Sequence, residues 1–181
     1  MRRTLLYLLA GLVLGGIIHI AVILILPQFA TRDIWSRVMA MDALEDMVVL
    51  APVAPGADNP MQLDPALVYG VCRLSLAEAP GLVNGAMPLG FWSVAVYNDQ
   101  GHVIYSTTNR SGSGQTIDMG IFNQAQTRLL AEQRIDIADG LLIVESGSDD
   151  IFVVMRAAPP HEAMRARFAE ALDAIRCLNI R

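Results

Sequence analysis

Lysine is absent from this chain of 181 residues, and all thirteen of its basic residues are arginines. The formal net charge is −5, and no run or stripe of basic residues occurs along the sequence. Proteins that bind nucleic acid neutralise its phosphates with clustered basic side chains. The charge pattern therefore argues against nucleic acid as a partner.

Histidine is scarce as well, with three in the chain. His19 lies in the apolar opening segment, His102 in a predicted hairpin and His161 before the predicted last helix, so their spacing is not that of zinc ligands. Residues 135–146 resemble a calcium loop only in part, because isoleucines stand at the first and third ligand positions. We expect no metal site and no other cofactor.

Signatures of nucleophilic catalysis are missing too. The chain has no G-x-S-x-G motif, and the segment SGSGQT (residues 111–116) lacks the lysine of a phosphate-binding loop. Ser93 and Ser106 are expected opposite each other on a hairpin, with His102 about 13 Å along the strand from Ser106, too far to act as its base. We assign no catalytic residue, and the sequence favours a non-enzymatic protein over an enzyme.

What the sequence does contain is a long apolar run at its start. Leu5–Leu26 is a stretch of 22 residues without a charge, which as a helix would span about 33 Å against a hydrocarbon core of about 30 Å. A cleaved secretion signal has a shorter apolar core followed by small residues, whereas Gln28 stands at such a position here. We predict a retained transmembrane helix over residues 5–26.

The orientation follows from the arginines that flank this run. Arg2 and Arg3 precede it and Arg32 and Arg37 follow it, but the first pair abuts the apolar run and a nearby aspartate offsets the second. Basic residues beside a span stay in the cytoplasm, and long C-terminal domains cross with little regard to their charge. We predict residues 1–4 in the cytoplasm and the C-terminal domain in the periplasm, anchored in the bacterial inner membrane.

One face of the predicted span carries small residues. Gly11, Gly15 and His19 follow one another at intervals of four, and a G-x-x-x-G pair permits the close approach of two helices. These three residues are a candidate homodimer face. Alternatively, the glycines have no partner and a neutral His19 hydrogen-bonds to water or to lipid headgroups.

A connecting region follows, over residues 27–57. Apolar residues recur with a helical period through Thr31–Leu50, which predicts an amphipathic helix that either lies at the bilayer surface, with Trp35 in the interface, or packs on the domain. The proline-rich stretch 51–66 predicts an extended connector. We expect the periplasmic domain over residues 58–181.

Within the domain, strand and helix signals alternate. A strand is predicted over Leu67–Leu76 and a hairpin over Phe91–Thr107, turning at residues 98–101. If Tyr97 opposes His102, the inward face of this hairpin is apolar and consists of Trp92, Val94, Val96, Val103, Tyr105 and Thr107.

The second half of the domain repeats the alternation. Asn123 is predicted to cap a helix that ends near Glu132, and the runs LLIVE and IFVVM predict a second hairpin. A last helix follows Pro160, with apolar residues from Met164 to Ile175 on one side. The predicted class is α+β, with an antiparallel sheet and helices packed on one of its faces.

Five stretches of the chain are similar to a known family. They are GGIIHI (15–20), LPQFATRDIWSR (26–37), DPALVYGVCRLSL (64–76), GFWSVAVYNDQGHVIYSTTNR (90–110) and AIRC (174–177). The chain resembles uncharacterised small bacterial single-pass inner-membrane proteins, described only as predicted integral membrane proteins and related to one half of larger two-domain secreted proteins. The resemblance implies the anchored topology and provides no catalytic residues.

The chain has two cysteines, Cys72 and Cys177. An even count in an oxidising compartment favours a structural disulfide, and the absence of a C-x-x-C spacing argues against redox work. The bond would close a loop of about 105 residues, worth about 4–5 kcal/mol in the chain-entropy model, and would join the last helix to the first strand. Two free buried thiols are the alternative.

Polar residues at the ends of the first hairpin form the only other candidate site. Asn98, Asp99, Asn109 and Arg110 could bind a small polar ligand or a partner. Alternatively, Asn98 and Asp99 serve the turn and Arg110 is a solvated charge.

These observations favour a membrane-anchored periplasmic module that binds the lipid bilayer through its helix and an envelope protein through its domain. The alternative is a small-ligand sensor that signals through a partner membrane protein, since the predicted cytoplasmic segment is too short to carry an output domain. A hydrolase is the least favoured hypothesis.

Overall fold

The computed structural model describes residues 2–111, 114–133 and 140–180. Within these ranges the helices are α1 (Arg2–Met39), α2 (Gln124–Gln133) and α3 (Arg165–Asp173), the last preceded by a 3-10 turn at Glu162–Met164. The strands are β1 (Val48–Val49), β2 (Val68–Ser75), β3 (Gly81–Ala86), β4 (Phe91–Asn98), β5 (Val103–Thr108), β6 (Thr116–Asn123), β7 (Leu142–Ser146), β8 (Asp150–Ala158) and β9 (Arg176–Asn179).

The strands form two sheets that share one core. The first has the order β1-β2-β8-β4-β5 and is antiparallel; the second has the order β7-β6-β3-β9, with β6 and β7 parallel. Apolar side chains from both sheets and from α3 fill the space between them, with Trp92 and Phe168 the largest that are fully buried. The predicted α+β class is confirmed, but the strands form two sheets that pack face to face where one sheet was expected.

Helix α1 is longer than the predicted span and crosses the predicted boundary at residue 27 without a break. The helical period read through Leu50 is wrong beyond Met39, where the chain leaves the helix and runs along β2. Backbone hydrogen bonds from Glu45 N to Arg73 O (2.9 Å) and from Arg73 N to Ala43 O (2.7 Å) hold it there. Pairing with the sheet edge outweighs the local helical pattern.

The β4–β5 hairpin is confirmed, and its register differs from the predicted one by two residues. Val96 pairs with Tyr105, and a bulge follows between Val96 and Tyr97. Because side chains alternate with a period of two, a shift of two residues keeps each side chain on its predicted face. The exception is Val103, which the bulge moves opposite Tyr97, where it is 55% exposed.

The predicted second hairpin is wrong, because β7 and β8 lie in different sheets. The buried Ser146 ends β7 and turns the chain: its Oγ donates to Ser148 O (2.6 Å) and accepts from Ser148 N (3.1 Å). The chain then crosses to the other sheet, while β7 pairs with β6. Apolar alternation identifies a strand but not its neighbour.

The two cysteines form the predicted disulfide. Cys72 on β2 and Cys177 on β9 have Cα atoms 6.5 Å apart, and the bond connects the two sheets across the core. The expectation that it joins the last helix to the sheet is wrong. Helix α3 ends at Asp173, and the chain then enters β9, where Cys177 pairs with Val83.

The starts of α2 and α3 agree with the predicted signals. Asn123 caps α2: its Oδ1 accepts from Gln126 N (2.9 Å), while Gln126 Oε1 accepts from Asn123 N (2.9 Å). This reciprocal pair is a capping box. Helix α3 follows Pro160, as predicted, and buries Phe168 and Leu172 against the core.

Candidate functional site

The outer face of the five-stranded sheet carries an apolar patch, with Arg73 and Ser93 on the same face. Alternate residues of a strand point to the same side, so this face receives Tyr69 and Val71 from β2, Tyr97 from β4, and Phe152, Val154 and Arg156 from β8. The rings of Tyr97 and Phe152 stack at a centroid distance of 4.9 Å with 6° between their planes.

The last turns of α1 pack on this face. Val38 is buried in one cluster with Val71 and Phe152, and the ring of Trp35 lies 6.0 Å from that of Phe152. Of the two alternatives for the amphipathic segment, packing on the domain is the one seen at Trp35 and Val38. The helix that begins in the apolar run is therefore fixed to the centre of the sheet.

A groove of about 520 Å³ lies between α1, the connector and this sheet face. We call it the α1 groove. One wall is the end of α1, with Arg37 and Val38; another is the connector segment Pro60–Leu63; the floor is the outer sheet face with Leu50 and Gly101 at its margins. Its lining is mostly aliphatic and aromatic, which is typical of ligand pockets.

The charges of the α1 groove are of one sign. Arg37 and Arg156 line it, and no aspartate or glutamate stands among the described residues of its lining. Arg156 lies between Tyr69 and Ser93 in the sheet register, and its Nε is buried without a hydrogen-bond partner. A cationic groove in a chain with a net charge of −5 is a local feature, not a consequence of composition.

The predicted polar loop residues do not come together. Asn98 and Asp99 lie at one end of the β4–β5 hairpin and Asn109 and Arg110 at the other, separated by the six residues of β5, roughly 20 Å. The four residues therefore do not form one cluster.

The first pair serves the turn. Asn98 Oδ1 accepts from Gln100 N (3.1 Å) and His102 N (2.8 Å), as expected for a residue that shapes a turn. Asp99 Oδ1 accepts from Ser148 Oγ (3.0 Å) and faces a shallow polar depression.

The second pair lies beside the start of β4. Asn109 Nδ2 donates to Gly90 O (3.1 Å), while its Oδ1 is buried without a partner. The backbone N of Arg110 donates to Thr108 Oγ1 (3.3 Å), and the Arg110 side chain is exposed. These contacts give the pair a structural role at the strand end.

The candidate dimer face lies on an uncovered part of α1. A Cβ placed on Gly11 or Gly15 would meet no atom within 4 Å, and His19 is exposed. Arg2–Leu26 has a mean hydropathy of 2.7 over its most apolar window, none of which is buried, so length and composition suffice to cross a membrane. Dimerisation through this face stays a prediction.

Sequence reasoning missed Arg156 and the stacked pair of Tyr97 and Phe152 on the same sheet face. One signal was present: in IFVVMRAA the arginine interrupts an otherwise apolar strand at a position that shares a face with Phe152 and Val154. Metal binding has no support in the described part of the chain, where no three His, Cys, Asp or Glu side chains gather.

Neither a protein-family model nor a curated protein matches the chain. Among solved structures, the fold is similar to the VPA0106 protein from Vibrio parahaemolyticus, with a TM-score of 0.53 and 11% identity over 65% of this chain and 29% of that one. An uncharacterised protein from Burkholderia cenocepacia aligns with a TM-score of 0.36 and 17% identity, over 55% of this chain and 29% of that one. The chain thus spans under a third of the length of either, and the first likeness bears on the fold alone.

Proposed function

We propose that this chain is a periplasmic binding module held in the bacterial inner membrane by the apolar part of α1. Residues 1–4 would lie in the cytoplasm, residues 5–26 in the bilayer and the domain of residues 58–181 in the periplasm. The observation that carries the proposal is the exposure of the large apolar side chains between Leu5 and Leu26, each of which is 49–78% exposed.

The physical argument concerns the whole circumference of this helix. A helix that packs on a soluble core is apolar along one stripe, whereas a helix that is apolar all round needs lipid or protein on every side. In water, its exposed apolar surface would cost about 25 cal/mol for each Å². Lipid removes that cost without any partner chain.

The disulfide supports placement of the domain outside the cytoplasm. Cys72 and Cys177 are both buried between the sheets and bonded. Such bonds form and persist in oxidising compartments and are rare where thiols are kept reduced.

The α1 groove supports a binding role for the domain. A concave site of about 520 Å³ that combines apolar walls with a few polar groups is the usual form of a small-ligand site. An envelope protein that docks on the same side of the sheet would find the same apolar and cationic surface.

One observation favours a sensor as the second candidate. Arg37 and Val38 line the α1 groove and belong to the helix that continues into the apolar segment. A bound ligand would therefore touch the element that enters the membrane, and its occupancy could bias the contacts of that element with a partner membrane protein. A sensor predicts ligand-dependent crosslinking between α1 and such a partner, whereas a simple binding module predicts crosslinking that the ligand does not change.

Membrane fractionation tests the anchored module. We expect the full-length chain to remain in membranes washed with alkaline carbonate and to have the intact mass of all 181 residues. A matched variant with Leu12→Arg and Ile18→Arg should lose this retention, because each charge at the centre of a span costs about 2.5–3.5 kcal/mol. Release of the wild-type chain by the wash, or a mature chain that begins near Thr31, would contradict the proposal.

A further inference from the structure

Arg156 is a charged residue on the central strand of the five-stranded sheet, on the same face as the apolar floor of the α1 groove. Its strand, β8, lies between β2 and β4; its cross-strand partners are Tyr69 and Ser93, and the next residue on the same face of β8 towards Phe152 is Val154. The residue is partly buried, and its Nε is buried without a hydrogen-bond partner.

Arg165 shows what the same side chain does elsewhere in the domain. Its Nε donates to Glu162 Oε1 (2.9 Å), and its two Nη atoms donate to the backbone oxygens of Leu67 (3.1 Å) and Pro65 (2.5 Å). A guanidinium carries five N–H donors and is costly to bury without acceptors. The Nε of Arg156, by contrast, is a buried donor without an acceptor, in a residue that lines the α1 groove.

The rest of the α1 groove selects against a small hydrophilic anion. Val71, Val154 and the stacked pair of Tyr97 and Phe152 make most of the floor, and Met61 and Leu63 belong to one wall. Covering such apolar surface with apolar atoms lowers the free energy, because it removes that surface from water. A ligand that matches both the guanidinium of Arg156 and the apolar floor has an anionic head and an apolar tail.

We propose that the α1 groove binds a fatty acid, whose carboxylate accepts hydrogen bonds from Arg156 and whose tail lies on the apolar floor. No acidic residue stands among the described residues that line the groove, so none opposes the carboxylate there. Bidentate pairing with a carboxylate is the interaction for which the guanidinium geometry is suited.

The position of the groove makes the bilayer the source of the ligand. This step rests on the proposed function, since it requires α1 to lie in a membrane. Val38 follows Leu26 by twelve residues of continuous helix, about 18 Å along its axis. A fatty acid that leaves the bilayer surface therefore has a short path to the groove. Single-chain lipids exchange out of membranes far more readily than double-chain lipids do, because fewer CH₂ groups must leave the apolar phase.

The test is a titration that uses Trp35 as its reporter. The full chain, with Trp92→Phe so that Trp35 is the single tryptophan, is placed in zwitterionic phosphatidylcholine nanodiscs. The Trp92 Nε1 has no hydrogen-bond partner, so this substitution removes no bond. We expect dodecanoate to cause a saturable change in Trp35 emission, because that ring contacts Phe152 at the groove floor.

Matched variants assign the binding to the groove. Arg156→Gln should weaken dodecanoate binding at least tenfold, whereas Arg176→Gln, at an exposed arginine on β9, should leave it unchanged. Dodecanol should bind at least tenfold more weakly than dodecanoate, and inorganic phosphate should produce no saturable change. Val154→Phe, which narrows the groove and leaves Trp35 as the single tryptophan, should abolish binding and provides a second test if Arg156→Gln does not fold.

Several outcomes would overturn the proposal. They are the absence of a saturable signal, equal binding by the wild-type chain and by Arg156→Gln, dodecanol binding as tight as that of dodecanoate, and phosphate binding as tight as that of dodecanoate. The carbonate wash and intact mass report on the anchor alone, so failure of the ligand assignment and failure of the anchored module are distinguishable.

Discussion

The indole of Trp35 and the ring of Phe152 lie 6.0 Å apart at an angle of 47°, and this contact joins α1 to the centre of the five-stranded sheet. Phe152 is also stacked on Tyr97, so its two ring neighbours belong to different elements. The helix that leads into the apolar segment and the floor of the α1 groove are thus coupled through one side chain.

A double-mutant cycle measures this coupling. Trp35→Ala and Phe152→Ala, made singly and together, should show an interaction of about 0.5–1.5 kcal/mol in the free energy of unfolding. The control cycle pairs Trp35 with Phe168, which is buried on the opposite side of the same sheet, and should be additive within about 0.5 kcal/mol. Equal values in both cycles would mean that the ring contact contributes nothing.

The disulfide should stabilise the domain without affecting membrane insertion. Replacing Cys72 and Cys177 by alanine should lower the free energy of unfolding by about 2–5 kcal/mol, measured by urea titration. Insertion depends on the apolar segment, so the amount of membrane-bound chain should not change. If both thiols of the native wild-type chain are labelled by an alkylating reagent without reductant, the bond is refuted.

Gly85 should not tolerate a side chain. A Cβ at this position would lie 2.5 Å from Ile175 Cδ1 and 3.3 Å from the Ile175 Cα, and that backbone atom cannot move aside cheaply. Gly85→Ala should therefore lower the free energy of unfolding, measured by thermal denaturation, by about 1–3 kcal/mol. Gly147→Ala is the matched control, since a Cβ there meets no atom within 4 Å; a loss as large as that of Gly85→Ala would argue against the packing described for β3.

The cap of α2 should be a measurable part of the domain's stability. Asn123 Nδ2 donates to Leu76 O (3.0 Å) and to Asp149 Oδ1 (2.9 Å), in addition to the capping bonds of its Oδ1 and backbone N. Asn123→Ala should cost about 1–3 kcal/mol in chemical denaturation. Gln124→Ala, one residue along at an exposed position, should change stability by less than about 0.5 kcal/mol.

Local signals were the reliable part of the sequence. The capping pair at Asn123, the β4–β5 hairpin and the identity of its buried face all depend on residues close together in the chain. The cysteine pairing could also be predicted, because two cysteines leave only one intramolecular bond to form.

Long-range relationships could not be read in the same way. The alternation in β7 and β8 identifies two strands, but whether they pair with each other depends on which sheet each joins. The end of α1 at Met39 depends on backbone bonds to β2, nearly thirty residues later in the chain. The place of Arg156 among Tyr69 and Ser93 depends on β2 and β4 lying on either side of β8, which no local pattern specifies.

The central claim is that the apolar part of α1 crosses a membrane and places the domain outside the cytoplasm. The most direct measurement is a pair of fusions after Arg181, one to alkaline phosphatase, which is active only outside the cytoplasm, and one to a fluorescent protein that matures only inside it. The account predicts an active phosphatase fusion and a dark fluorescent fusion, because Arg2 and Arg3 beside the span favour a cytoplasmic N-terminus. An inactive phosphatase with a bright fluorescent fusion would contradict it.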